Sequence, residues 1–124
     1  MRVLVIEDSP TNMTLCAIVL ESAGHTVLKA ETADSGIAIA RSEGPDLILM
    51  DMLLPDMDGE AATRILKADA QTRTIPVIAL TALAMKGDKE RFLAAGCDGY
   101  VEKPLRYKAL LAELEMFSQR ANPE

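Results

Sequence analysis

Three acidic residues, a threonine and a lysine each stand at the end of a short apolar run. Val3-Leu4-Val5-Ile6 leads into Glu7-Asp8, Leu47-Ile48-Leu49-Met50 into Asp51, Val77-Ile78-Ala79-Leu80 into Thr81, and Tyr100-Val101-Glu102 into Lys103-Pro104. Runs of this length, bounded by Pro, Gly and polar residues, read as buried strands. A side chain at such a strand end is held rigidly and faces a loop region, which is where a doubly wound α/β domain puts its chemistry. Two like charges ~4 Å apart repel by roughly 4 kcal/mol at an effective dielectric of ~20. Clustered carboxylates therefore require compensation by a raised pKa, a cation, or both. Lys103 supplies one positive charge, and Asp56 and Asp58 add further negative charge close by in sequence. An oxygen-only, partly hydrated site suits Mg²⁺ better than zinc or copper. An aspartate beside Mg²⁺, a hydroxyl and an ammonium is equipped for phosphoryl transfer, with the carboxylate as nucleophile and an aspartyl phosphate as product.

Taken singly, each of these residues has a plainer explanation. Glu7-Asp8 would be a solvated loop pair, Asp51 a loop carboxylate, Lys103-Pro104 a turn, and Thr81 a helix N-cap. Their joint placement at four strand ends, in the right topological order, favours a site. Tyr100 by itself reads as packing in an edge strand. His25, the only histidine, falls in a turn and reads as structural, which leaves Ser/His or Cys/His nucleophilic chemistry without support. Cys16 and Cys97 have no CxxC spacing and read as small buried thiols, not as a disulfide or a zinc site.

The elements that must position these residues alternate regularly. A strand Arg2–Ile6 precedes a helix from Pro10 to about Ala23, with Ser9 as N-cap, proline in the first turn and Gly24 as stop. Met13, Cys16, Ala17 and Leu20 form its buried stripe. A strand at 26–30 leads to a helix near 33–42, and a third strand at 47–50 to a helix from Gly59 to Ala68. The fourth strand, 77–80, is followed by a helix over roughly 86–95 closed by Gly96. The last strand, 99–102, precedes a helix from about Leu105 to Gln119, and residues 121–124 read as a frayed tail. Five strands alternating with five helices imply right-handed crossovers and a five-stranded parallel sheet covered on both faces, in the order 2-1-3-4-5, a flavodoxin-like (βα)5 fold. That order puts the switch point between strands one and three, so Glu7-Asp8 and Asp51 flank one crevice.

The composition is that of a globular domain: 124 residues, 49% hydrophobic and 26% charged. We expect one domain over 1–124 and no output domain, since no repeat, linker or low-complexity stretch interrupts it. A net charge of −6 disfavours nonspecific nucleic-acid binding. The apolar runs are strand-sized, too short to span a bilayer. Met1-Arg2 leads directly into the first strand, so a cytoplasmic location is expected.

At these residues the sequence resembles the receiver domain of two-component response regulators, across essentially the whole chain. The matching motifs are Val3-Leu4-Val5-Ile6-Glu7-Asp8, Leu49-Met50-Asp51-Met52 with Pro55 and Gly59, Thr81-Ala82, and Tyr100-Val101-Glu102-Lys103-Pro104. The stretch Thr81-Ala82-Leu83-Ala84-Met85-Lys86-Gly87-Asp88 also resembles the single-domain DivK type of cell-division regulator. The resemblance implies that Asp51 accepts a phosphoryl group from a phosphohistidine on a histidine kinase or histidine phosphotransfer protein. It further implies that Glu7, Asp8, Asp51 and the backbone carbonyl of Leu53 surround Mg²⁺. Thr81, Ala82 and Lys103 would bind the phosphoryl oxygens, Thr81 and Tyr100 would form the conformational relay, and Lys103-Pro104 would be a cis peptide. A downstream protein would dock on the face formed by the fourth helix, fifth strand and fifth helix, and the chain would be a monomer or weak dimer. Leu53 departs from the polar side chain many members carry there, which bears on phosphoryl lifetime and not on metal binding.

Three other readings compete. An aspartyl-nucleophile hydrolase of the haloacid-dehalogenase type places its nucleophile after the first strand with a second Asp two residues on, where this chain has Leu53. A receiver excised from a hybrid histidine kinase or larger regulator shares the same motifs. A docking module that is never phosphorylated has no need of Asp51, Thr81 and Lys103 together.

Overall fold

The computed structural model describes residues 1–82 and 87–121, with side chains of the last helix described as far as residue 117. Along it run β1 (Arg2–Ile6), α1 (Pro10–Ser22), β2 (Thr26–Ala30), α2 (Ala33–Glu43), β3 (Leu47–Asp51), α3 (Gly59–Ala68), β4 (Val77–Thr81), α4 (Asp88–Ala95), β5 (Gly99–Glu102) and α5 (Tyr107–Ala121). The strands form one parallel sheet in the order β2-β1-β3-β4-β5, as the alternation of elements requires.

The central strands lack polar alternation because both of their faces are covered. Alternate side chains of each strand go to opposite faces. Leu4, Ile6, Ile48 and Met50 pack with Ile37, Ala62, Leu66 and Phe92 from α2, α3 and α4. Val3, Val5, Leu47, Leu49, Ile78 and Leu80 pack with Met13, Cys16, Leu20, Leu110, Leu114 and Phe117 from α1 and α5. Each fully buried Leu or Ile contributes about 1.5–3 kcal/mol relative to exposure, so two continuous apolar layers hold the sheet in place beneath its loop edge. Cys16 and Cys97 are both buried free thiols, as expected, and burial pushes the Cys16 thiol up to about 11.

Local chemistry fixes the helix starts. The Ser9 hydroxyl accepts the Asn12 N–H at 3.3 Å, and Thr32 and Ser35 form a reciprocal capping box on α2. Asp58 caps α3 by accepting the Ala61 N–H at 2.8 Å. Gly87 has φ of 101°, a backbone conformation a helix cannot contain. For this reason α4 begins at Asp88, later than the periodicity suggested; Lys86 itself lies outside the described residues. α5 begins at Tyr107 and not Leu105, with the Arg106 carbonyl accepting the Leu110 N–H at 3.0 Å.

Candidate functional site

The parallel register brings the strand ends level. Ile6 pairs with Met50, Asp51 with Leu80, and Thr81 with Glu102. The ladder continues one residue past the strands: the Glu7 N–H bonds the Ala30 carbonyl at 2.9 Å, Met52 bonds Leu80 at 3.1 Å, and Lys103 bonds Thr81 at 2.8 Å. Side chains at positions 7, 51, 81 and 103 are thereby fixed by main-chain geometry.

Glu7 is 1% exposed and Asp51 5%, while Asp8 is exposed at the mouth. One carboxylate oxygen from each of Glu7, Asp8 and Asp51 lies within 4.8 Å of the others. The Lys103 ammonium stands 2.8 Å from Glu7 Oε1 and 3.4 Å from Asp51 Oδ2. Glu7 Oε2 accepts the Ser9 N–H at 3.2 Å, and Asp51 Oδ1 accepts the Leu53 N–H at 3.0 Å. The peptide bond between Lys103 and Pro104 is cis.

These contacts decide how the charge is shared. Burial, then a hydrogen bond with Glu7, pushes the Asp51 carboxyl up to about 6. Burial also opposes ionisation of Glu7, but its hydrogen bonds to Asp51, Lys103 and Ser9 outweigh that and hold its carboxyl below the usual range. Lys103 sits nearer Glu7 than Asp51, so on acidification Asp51 takes up a proton before Glu7 does. The Lys103 ammonium loses solvation on burial yet is raised by the two acids around it.

The donor set fits a small hard cation: oxygen atoms alone, a net charge that one ammonium does not cancel, and an open side at Asp8 for retained water. Both Glu7 oxygens already accept hydrogen bonds, so Asp8 and Asp51 are the better direct ligands and Glu7 suits contact through water.

Not every expected residue joins this cluster. Asp56 and Asp58, which sequence proximity placed with the local charge, turn away from it. Asp58 caps α3, and Asp56 accepts the N–H groups of Ala33 and Asp34 on α2. Thr81 is buried at the end of β4, followed by the exposed Ala82; Leu83, Ala84, Met85 and Lys86 lie outside the described residues. Tyr100 is half-buried against the α2–α3–α4 side of the core, with the Lys89 ammonium 5.4 Å above its ring. Arg91 pairs with Glu60 of α3 and with Asp88 of its own helix, so it faces α3. Leu53, 60% exposed, borders the site with its side chain free of the core. Lys89 against Tyr100 and Asp56 on α2 carried no signal of their own in the sequence, since both depend on which helix lies alongside.

The model of the response regulator receiver domain matches residues 3–115. The polar-differentiation response regulator DivK of Brucella ovis is 38% identical over 115 residues, covering 93% of this chain and 94% of the relative. Among solved structures, the receiver domain of sensor histidine kinase PA1611 from Pseudomonas aeruginosa, which holds a magnesium ion in its active-site cleft, is 39% identical with a TM-score of 0.82, covering 96% of this chain and 94% of that one. The signal receiver domain of a histidine kinase from Syntrophus aciditrophicus is 32% identical with a TM-score of 0.90, over 99% of this chain and 93% of that one. Sequence match, fold and the acidic crevice at the switch point agree, and the chain belongs to the response regulator receiver domain family of two-component signalling.

Proposed function

We propose that this receiver is a phosphorylation-controlled switch whose phosphoacceptor is Asp51, charged by a phosphohistidine on a kinase or phosphotransfer protein. The observation that carries this reading is the buried Asp51 carboxylate beside Glu7 and Asp8, with Lys103 at 3.4 Å. In the transfer, an Asp51 oxygen forms a bond to phosphorus as the P–N bond to the partner's imidazole breaks and the ring nitrogen keeps the electron pair. Asp8 and Asp51, the Leu53 carbonyl, and Glu7 through water would hold Mg²⁺, which neutralises charge on the phosphoryl oxygens when bound. The Lys103 ammonium, held by Glu7, donates to one phosphoryl oxygen. The Thr81 hydroxyl and the Ala82 N–H donate to the others. The phosphoryl group held on Asp51 then acts as the signal, so we read the chain as a switch and not as a turnover enzyme.

Output follows from the same atoms. Thr81 drawn toward the phosphoryl group leaves room for Tyr100 to turn inward, a two-state element biased by new charge. Tyr100 lines a groove of about 660 Å³ with Lys89, Glu102, Arg106, Ala109 and Glu113 between α4, β5 and α5. That face is our candidate for docking a downstream protein, with the chain a monomer or weak dimer. No helix among the described residues is long and apolar enough to cross a membrane. The net charge of −6 supports a protein partner over nucleic acid. We place the switch in the cytoplasm with its kinase. Phosphotransfer profiling against purified, labelled histidine kinases and phosphotransfer proteins should give rapid transfer from a small subset. Amide exchange with beryllofluoride should then change across α4, β5 and α5. Transfer from none, or exchange changes confined to the α2 side, contradicts the reading.

A further inference from the structure

Asp56 lies between β3 and α3, in the segment that carries Leu53. Both of its carboxylate oxygens reach out of that segment. Oδ1 accepts the Ala33 N–H at 2.9 Å and Oδ2 the Asp34 N–H at 2.9 Å, 23 and 22 residues away in the chain. These N–H groups belong to the first turn of α2, where a helix leaves its donors without internal partners. The two bonds hold the Asp56 carboxyl below the usual range.

α2 does not depend on Asp56 for a cap, because Thr32 and Ser35 already provide one. What Asp56 adds is a link between two elements. The neck of its segment is closed by the Gly59 N–H to the Met52 carbonyl at 3.0 Å and by a bridge between Leu53 and Asp58. Leu54 and Met57 rest half-buried on the core, while Pro55 and Asp56 are exposed at the tip. With the tip fixed to α2 at one side and the neck fixed to the sheet at the other, the main chain at Leu53 has little freedom to rotate.

We propose that Asp56 is a positioning residue for the metal site. By fastening the β3–α3 segment to α2 it holds the Leu53 backbone carbonyl where Mg²⁺ takes it, and so raises affinity for an ion it never touches. This rests on the Mg²⁺ reading given above. Partners one bond beyond a metal's ligands change affinity by roughly 10–100-fold. Asp56 acts from further along the chain, so its loss should weaken Mg²⁺ binding by about three- to tenfold.

The experiment is calorimetric titration of Mg²⁺ into the wild type, Asp56→Ala, Asp56→Asn and Thr32→Ala at equal ionic strength. Ala and Asn remove the same charge, but the Asn amide oxygen still accepts one N–H. Asp56→Asn should therefore recover part of the affinity that Asp56→Ala loses. Thr32→Ala weakens the cap of α2 without touching the tether and should bind within about twofold of wild type. Coupling is reciprocal, so in wild-type protein Mg²⁺ should slow amide exchange at Ala33 and Asp34; this readout needs no variant to fold. Wild-type affinity in Asp56→Ala, an equal loss in Thr32→Ala, or exchange at Ala33 and Asp34 indifferent to Mg²⁺ would overturn the inference while leaving the metal site intact. A wild type that takes up no Mg²⁺ would overturn the metal reading, and the inference with it.

Discussion

Replacing Asp51 with asparagine should stabilise the metal-free protein. The carboxyl is pushed from 3.8 to about 6 by burial and by Glu7, so ionising it costs the folded state. A difference of about two pKa units corresponds to about 3 kcal/mol at ~1.4 kcal/mol per unit. Asparagine is nearly isosteric, keeps an oxygen for the Leu53 N–H, and leaves Lys103 paired with Glu7. Side-chain relaxation in the charged state lowers the gain, and we expect about 1–3 kcal/mol, or roughly 4–12 °C in Tm. The pH dependence carries a definite sign. The folded pKa lies above the unfolded one, so the penalty in wild type is complete above about pH 6 and absent below about pH 4. The advantage of Asp51→Asn should be full at pH 7.5, about half as large at pH 5 and gone near pH 4. Urea denaturation of both proteins in EDTA measures it, and added Mg²⁺ should narrow the gap by stabilising wild type preferentially. An asparagine variant no more stable than wild type at pH 7.5, or a gain that does not shrink with acidification, would refute the reasoning.

Two further outcomes are expected. Leu53→Asn places a hydrogen-bonding amide at the exposed edge of the crevice, where it can orient an attacking water, and should speed loss of the phosphoryl group about tenfold, roughly 1.4 kcal/mol of barrier; unchanged decay of labelled protein would remove this side chain from control of the water. Gly59→Ala would set a Cβ 2.7 Å from the Met52 Cα and 3.0 Å from the Asp51 carbonyl oxygen, main-chain atoms that cannot swing aside, and should cost about 1–3 kcal/mol in urea denaturation, a loss that room in the segment would abolish.

The sheet was legible because its central strands are buried on both faces and so appear as uninterrupted apolar runs. The ends of β1, β3 and β4 then located Glu7, Asp51 and Thr81, while Lys103 follows the edge strand β5, whose short run is only partly buried. Asp56 and Asp58 were misplaced because nearness in sequence to Asp51 says nothing about direction. Each is claimed by a helix N-terminus, Asp58 by its own α3 and Asp56 by α2, a helix 22 residues earlier. Arg91 of α4 is engaged by Glu60 of α3, a pairing that nothing in the sequence around Arg91 registers. The α4 start shifted to Asp88 because Gly87 adopts a positive φ that periodicity cannot register. Apart from that helix start, what was missed depends on which side chain a neighbouring element brings into reach.

The central claim, that Asp51 is the phosphoacceptor of a Mg²⁺-dependent site, is tested most directly by intact-mass measurement after incubation with acetyl phosphate or phosphoramidate. Wild-type protein should gain one phosphoryl group, about 80 Da, with Mg²⁺ and not in EDTA, and Asp51→Asn should gain none. An undiminished adduct in Asp51→Asn, or one formed equally without metal, would contradict it.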